Sequence, residues 1–257
     1  MDTEPIDPQS IRNATVLGEP DGTAAVVRRL GRRLAGTGSG TWELNGFEHT
    51  VRLAELSSRA PLAELERAIR VADGVVAVLD AAVPRAPRLE AMLRVADDHQ
   101  VARLCLVTGV DRPAADFPGC VRAIADIRGA VPLTVQLPLG RGAGFEGVLD
   151  LVSMWAADAM AAEFHGSRRE FAQQQYRRLT AAVVEQDAAE SGIPGLRRIP
   201  PAQLHDRIRR LTRVGDAVPV LCDAGRSDED VAPLLDAIVR YLPSPLDVCQ
   251  PEHALDW

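Results

Sequence analysis

Residues 18–24, Gly-Glu-Pro-Asp-Gly-Thr-Ala, stand between a short apolar run, Ala14 to Leu17, and an arginine-rich stretch. A glycine-bearing turn between strand and helix is where backbone N–H groups converge on phosphates, a lysine reaches the outer oxygens and a Ser or Thr hydroxyl holds Mg²⁺. Gly22 and Thr23 would supply the turn and the hydroxyl, but Glu19 and Asp21 place two carboxylates where the anion would sit. No lysine answers them, because all 29 basic residues of the 257 are arginine. A helix N-terminus favours an anion by ~0.3–1 kcal/mol, and a like charge in a partly desolvated site costs about as much or more. Repulsion is expected to win. The stretch then reads as a tight turn that starts the first helix, with Asp21 at or next to the N-cap and Gly22 easing the bend.

Other chemistry-bearing residues give weaker patterns. His49, His99, His165, His205 and His253 show neither i, i+4 spacing nor a cysteine partner, so no metal site is expected. Cys105, Cys120, Cys222 and Cys249 lack C-x-x-C spacing, and two lie in apolar runs where cysteine packs as a small hydrophobe, which suits a reducing cytoplasm. Ser57 and Ser58 have no local base, and no catalytic residue is assigned. Phe164, Phe171 and Tyr176 read as core residues, and the arginine pairs at 168/169 and 177/178 as a solvated helix face.

The elements that must position these residues follow from periodicity. Ala14–Leu17 reads as a buried strand and Thr23–Leu34 as a helix with Val26, Val27, Leu30 and Leu34 on one side. Asn45-Gly46 lies between two extended runs, a strong hairpin signal. A helix over 62–72 precedes Gly74–Asp80, an apolar run too continuous for a half-exposed strand and suited to the middle of a parallel sheet. Helices over 86–99, 118–127 and 229–241 alternate with strands over 102–107, 131–137 and 217–222. This predicts an α/β fold, a mostly parallel sheet flanked by helices, whose ligands bind at the strands' carboxyl ends. The candidate site is therefore the loops after residues 17, 56, 80, 107 and 222. Residues 138–215 break the rhythm with a glycine-rich stretch and helices over 168–190 and 201–213, the pattern of an inserted helical subdomain. The expected domains are a flexible N-terminus (1–10), a core (11–137 with 216–248), the insert (138–215) and a tail (249–257).

A net charge of -7 argues against a chain that holds nucleic acid through a broadly basic surface. MDTEPIDPQS lacks the blocks of a signal peptide, and no run approaches ~18 apolar residues. The expectation is a cytoplasmic protein with neither a membrane partner nor direct sequence-specific binding to nucleic acid.

Several segments carry a resemblance: IRN at 11–13, RVADGVVAVLDA at 70–81, VDRPAADF at 110–117, GAVPLTVQLPLG at 129–140, FEGVLDLV at 145–152, and VPVLC followed by PLLDAIVRYLPSPLDV at 233–248. In order and over nearly the whole chain, they resemble the GTP-binding domain of bacterial elongation factor G. The resemblance implies a P-loop NTPase-like sheet with an inserted subdomain, and it marks each departure. The family's phosphate loop, roughly A-H-V-D-A-G-K-T-T, is here about two residues shorter and lacks its lysine. Its D-T-P-G-H motif falls on Ala54-Glu55-Leu56-Ser57-Ser58, with Glu55 one residue from the metal-organising position and so expected on the opposite face. Ser58 replaces the histidine that positions water. The first switch loop is reduced to about Gly36-Thr37-Gly38-Ser39-Gly40. The guanine-reading N-K-M-D becomes Thr108-Gly109-Val110-Asp111; Asp111 can still accept guanine's ring N–H and amino group, but Gly109 has no stem to cover the base. In the G-S-A motif, Asp223-Ala224-Gly225 keeps a backbone amide at Ala224 and adds a negative charge.

The vestigial nucleotide-binding residues are thus Asp21, Gly22, Thr23, Asp111 and Ala224, with no catalytic residue and no metal ligand. Three readings remain open. The first is a non-hydrolysing pseudo-GTPase without a cofactor that acts on another protein. The second is a factor that binds GTP or GDP with Mg²⁺ weakly and borrows Arg28 or Arg29 for the lysine. The third is a regulator or decoy on the ribosome, since in the family the insert approaches the ribosomal stalk. The expected partner is a protein, with the ribosome or another translation-related protein as candidates.

Overall fold

The computed structural model describes residues 7–36, 38–127, 131–153, 167–187 and 199–248, with backbone alone at 167 and 168. Thr37 of the expected switch stretch, Phe164, His165, Cys249, His253, most of the expected N-terminus and the expected tail lie outside the described residues.

The apolar runs form the centre of one seven-stranded sheet. Its strands are β1 (Ile11–Gly18), β2 (Ser39–Leu44), β3 (Phe47–Ser57), β4 (Gly74–Asp80), β5 (Ala102–Thr108), β6 (Val131–Thr134) and β9 (Ala217–Asp223), in the order β2-β3-β1-β4-β5-β9-β6. Only β2 is antiparallel. Val75, Val76, Ala77, Leu104, Cys105 and Val220 are completely buried, as strands covered on both faces require. At the hairpin, Asn45 and Gly46 both have positive φ, 54° and 80°. That is the backbone of the tight turn whose twist matches its strands.

Helices α1 (Pro20–Arg33), α2 (Leu62–Arg70), α3 (Pro87–Asp98), α4 (Phe117–Ala125), α5 (Ser167–Gln186), α6 (Pro201–Arg213) and α7 (Ala232–Tyr241) flank the sheet. α1 lies along β1, β3 and β4 and buries Val26 and Leu30, while α7 crosses β1, β2 and β5. The first helix begins earlier than its periodicity suggested: Pro20 takes the first helical position and Glu19, not Asp21, is the N-cap. Proline is pre-set for that position and has no N–H to lose.

The expected strand 131–137 is broken. β6 ends at Thr134, and Gln136–Leu139 becomes β7, paired antiparallel with β8 (Gly147–Asp150) in a separate two-stranded sheet. Pro132 is tolerated because β6 is an edge strand. The last expected helix likewise opens with a 3₁₀ turn, Glu229–Val231, before α7. In the stretch expected as an insert, α5 touches β6 and α6, whereas α6 packs on β9, β5 and α7. Phe171 is 44% exposed rather than core, because α5 turns Ala172, Tyr176, Leu179 and Val183 inward instead.

Candidate functional site

The carboxyl ends of β1, β4, β5 and β9 enclose a cleft of about 500 Å³, a ligand-sized volume. Glu19, Asp21 and Gly22 come from the β1–α1 turn, Asp80 and Val83 from the loop after β4, Gly109 and Arg112 from the loop after β5, and Ala224 and Gly225 from the loop after β9. Val26, Val78 and Leu89 form apolar walls. The loop after β3 contributes nothing to the lining. Gly18 at the end of β1 has φ 154°, and a Cβ there would lie 2.7 Å from the Val78 carbonyl oxygen, so β1 and β4 approach closely at the mouth only because this residue is glycine.

The polar groups around the cleft are bonded to one another. Thr23 is fully buried, and its Oγ1 lies 3.0 Å from Glu55 Oε1 and 3.0 and 3.1 Å from the carbonyls of Pro20 and Glu19. Its single hydroxyl hydrogen is committed within the chain. This corrects the expectation for Glu55: β1 and β3 pair directly, Val16 opposite Glu55, and the glutamate is long enough to reach the start of α1. The buried Ser58 hydroxyl donates to Glu19 Oε1 at 2.8 Å, and Arg59 lies 3.9 Å from the same carboxylate.

Asp223 is not a free charge at the cleft mouth, as the sequence suggested. It is 1% exposed, and both its oxygens accept from the guanidinium of Arg29; Oδ1 also accepts from the Gly225 N–H at 2.7 Å. Arg29 further donates to the Ser227 carbonyl at 2.5 Å. Burial of the carboxylate beside an inward-facing helix arginine turns an expected repulsion into an internal ion pair. Arg28 is exposed, on a groove shared with Arg29 and Arg32 outside the cleft.

Two further arginines, not singled out from the sequence, follow β5 and β9; Arg112 lines the cleft and Arg226 lies outside it. Arg112 pairs with Asp80 at 3.0 Å, its guanidinium crossing Gly109 so closely that a Cβ there would meet Arg112 Cζ at 2.8 Å. Arg226 donates from Nε to Asp111 Oδ2 at 2.9 Å and lies over the Phe145 ring. Neither Asp111 nor Arg226 lines the cleft, whereas Asp21, Gly22 and Ala224 do. No local spacing links Arg226 to Asp111, 115 residues away. Only the adjacency of the loops after β5 and β9, which follows from sheet order, reveals the pair.

Asp21 is exposed and has no partner among the described residues. At the first turn of α1 the charges facing a phosphate would therefore be Asp21 and Glu19, with Arg29 and Arg112 already neutralised. This donor set does not fit a magnesium triphosphate. Among the described residues no group of three or more His, Cys, Asp or Glu side chains is placed to hold a metal. Burial pushes the Cys105 thiol up to about 12 and the Cys120 thiol up to about 11, so neither serves as a thiolate nucleophile near neutrality.

Comparison with known proteins agrees with this architecture. Residues 62–244 match the family described as the elongation factor Tu GTP binding domain. The match begins at α2, after β1, the Gly18–Ala24 turn, α1 and the hairpin. Elongation factor G 2 of Streptomyces coelicolor is 42% identical over 209 residues, covering 78% of this chain and 30% of that protein. Elongation factor G of Anaplasma phagocytophilum is 41% identical over 195 residues, 72% of this chain and 28% of that protein. The chain thus spans less than a third of the length of these relatives. A crystal structure of a Thermus thermophilus protein superimposes with a TM-score of 0.69 at 20% identity, over 92% of this chain and 41% of that one, a likeness of fold. With most of its length matched and its strands in the order that builds a nucleotide-type cleft, the chain belongs to the family of the elongation factor Tu GTP-binding domain.

Proposed function

We propose that this chain is an elongation-factor-G-like G domain that neither hydrolyses GTP nor holds it tightly, and that it acts by presenting its surface to another protein. One observation carries the reading: groups that would have to turn towards a nucleotide are already bonded within the chain. Thr23 is engaged with Glu55, Asp111 with Arg226 and Arg29 with Asp223. Phosphoryl transfer depends on stabilising charge at the transferred group, and the nearest uncompensated side chain there is the Asp21 carboxylate. The borrowed-arginine alternative is disfavoured on the same ground, since freeing Arg29 would leave the buried Asp223 unpaired. The family match starting only at residue 62 also supports the proposal, because the phosphate-side segment is the part left out of it.

Isothermal titration of the full chain with GTP and GDP in excess Mg²⁺ tests the proposal. No heat of binding is expected from folded protein at concentrations that reveal a millimolar Kd, and micromolar binding would sink it. Since the relatives are elongation factors, the translation apparatus is the first place to seek the partner, by co-sedimentation with ribosomes and capture from the native host.

A further inference from the structure

A groove of about 420 Å³ runs between α1 and the loop after β9. Arg28, Arg29, Arg32 and Arg226 line it, and among the described residues Asp228 is the one carboxylate on its walls. The remaining lining residues, Ala25, Gly225 and Ser227, are small. Arg29 is committed to the buried Asp223, and Arg226 to Asp111. The other two arginines remain available. Arg28 is exposed and has no partner among the described residues. Arg32 meets Asp228 at 3.1 Å, but the two side chains are 59% and 36% exposed, and an ion pair so open to water is worth little and exchanges readily.

Arg28 and Arg32 stand one turn apart on α1, about 6 Å along its axis. Carboxylates spaced i, i+4 on a second helix repeat at that distance, and each can take a guanidinium through two parallel N–H···O bonds. Arg33, exposed over the Trp42 ring at 5.6 Å and without a carboxylate partner among the described residues, continues the basic face towards the end of α1. The surroundings are acidic. Glu19 and Asp21 stand at the amino end of α1, and Glu229 and Asp230 follow Asp228 in the loop. In a chain of net charge -7, attraction for an anion is thereby confined to a short patch. A nucleic acid strand would carry its phosphates past the groove onto these carboxylates, whereas an acidic segment one or two turns long would not.

We infer that this groove docks an acidic helical segment of a partner protein, with Arg28 and Arg32 receiving carboxylates one turn apart. The inference deepens the reading above, on which it rests in that the chain acts through another protein.

The test is fluorescence anisotropy with the full chain at about 50 mM salt, where surface charges are less screened. The probe is a labelled alanine-rich peptide of about 20 residues, long enough to form a helix, with glutamates at i, i+4 and i+8. Its affinity is expected to fall at least about fivefold in R28A/R32A, to hold in R67A/R70A, which removes two exposed arginines of α2, and to vanish when glutamine replaces the glutamates. Circular dichroism and the urea midpoint report whether R28A/R32A folds; R28Q, which alters a side chain without a partner in the chain, takes its place if it does not. The inference is overturned by equal losses in the two double variants, by equal binding of the glutamine peptide, by no binding of the glutamate peptide up to millimolar concentration, or by tighter binding of a labelled oligouridylate of the same charge. GTP binding by the unaltered chain would overturn the proposed function instead and leave the peptide measurements as they stand, so the two failures are distinguishable.

Discussion

At the scale of single residues, the buried polar groups decide behaviour more than the exposed arginines do. His205 shares a hydrogen bond of 2.7 Å between its Nδ1 and the Tyr241 hydroxyl, and burial, helped by the nearby Arg240 charge, lowers its pKa from 6.5 to about 4. The unfolded chain therefore binds more protons than the folded one between pH 4 and 6.5. The histidine's contribution to stability is complete above pH 6.5 and is lost as pH falls towards 4. After allowing for its partial exposure, that loss is on the order of 2–3 kcal/mol. Urea unfolding of the parent and His205→Gln should show the difference between them changing by about that amount from pH 7 to pH 4. Parallel profiles would refute the assignment. Nothing in the sequence around His205 marked it, because its partner lies 36 residues on and meets it only where α6 packs on α7.

At the scale of elements, Arg103 ties three together. It is the second residue of an apolar-looking strand, ARLCLV, yet is 1% exposed. Its guanidinium reaches Asp97 at the end of α3 at 2.7 Å, the Leu93 carbonyl at 3.4 Å and the Gly215 carbonyl in the α6–β9 turn at 2.7 Å. Arg103→Met would leave Asp97 and the Gly215 carbonyl without their partner, a loss of about 3 kcal/mol. Equilibrium urea unfolding measures it, and a change of less than about 1 kcal/mol would mean that the contact is incidental. The alternation of strands and helices was legible because continuous apolar runs such as GVVAVLD can be satisfied only inside a two-faced sheet. The break at Val135 was not legible. The run VPLTVQL looks uniform, and only the pairing of Gln136–Leu139 with Gly147–Asp150 takes its second half out of the main sheet.

At the scale of the whole molecule, carboxylates at the end of β4, after β5 and at the end of β9 each meet an arginine from another loop or helix: Asp80 with Arg112, Asp111 with Arg226, Asp223 with Arg29. On the proposed reading, the fold keeps its cleft while its charges are spent on one another. A ligand that bound only the folded state at micromolar Kd would stabilise it by about 4 kcal/mol at a thousandfold excess over Kd. Thermal unfolding with millimolar GTP and Mg²⁺ is therefore expected to show no rise in Tm; a rise of several degrees would contradict that reading. Among the described residues no helix is long and apolar enough to cross a membrane. The sequence by itself determined the strand–helix alternation, the hairpin and the absence of any lysine, because apolar periodicity, turn chemistry and composition are local properties of the chain, and the order of its segments carried the resemblance to the family. Only the tertiary structure decided which carboxylates are free and which are matched. Glu55 reaching Thr23, Arg29 covering Asp223 and Arg226 seated on Phe145 are meetings of residues 32 to 194 positions apart. A charge acquires its pairing from the strand order that brings its neighbours together.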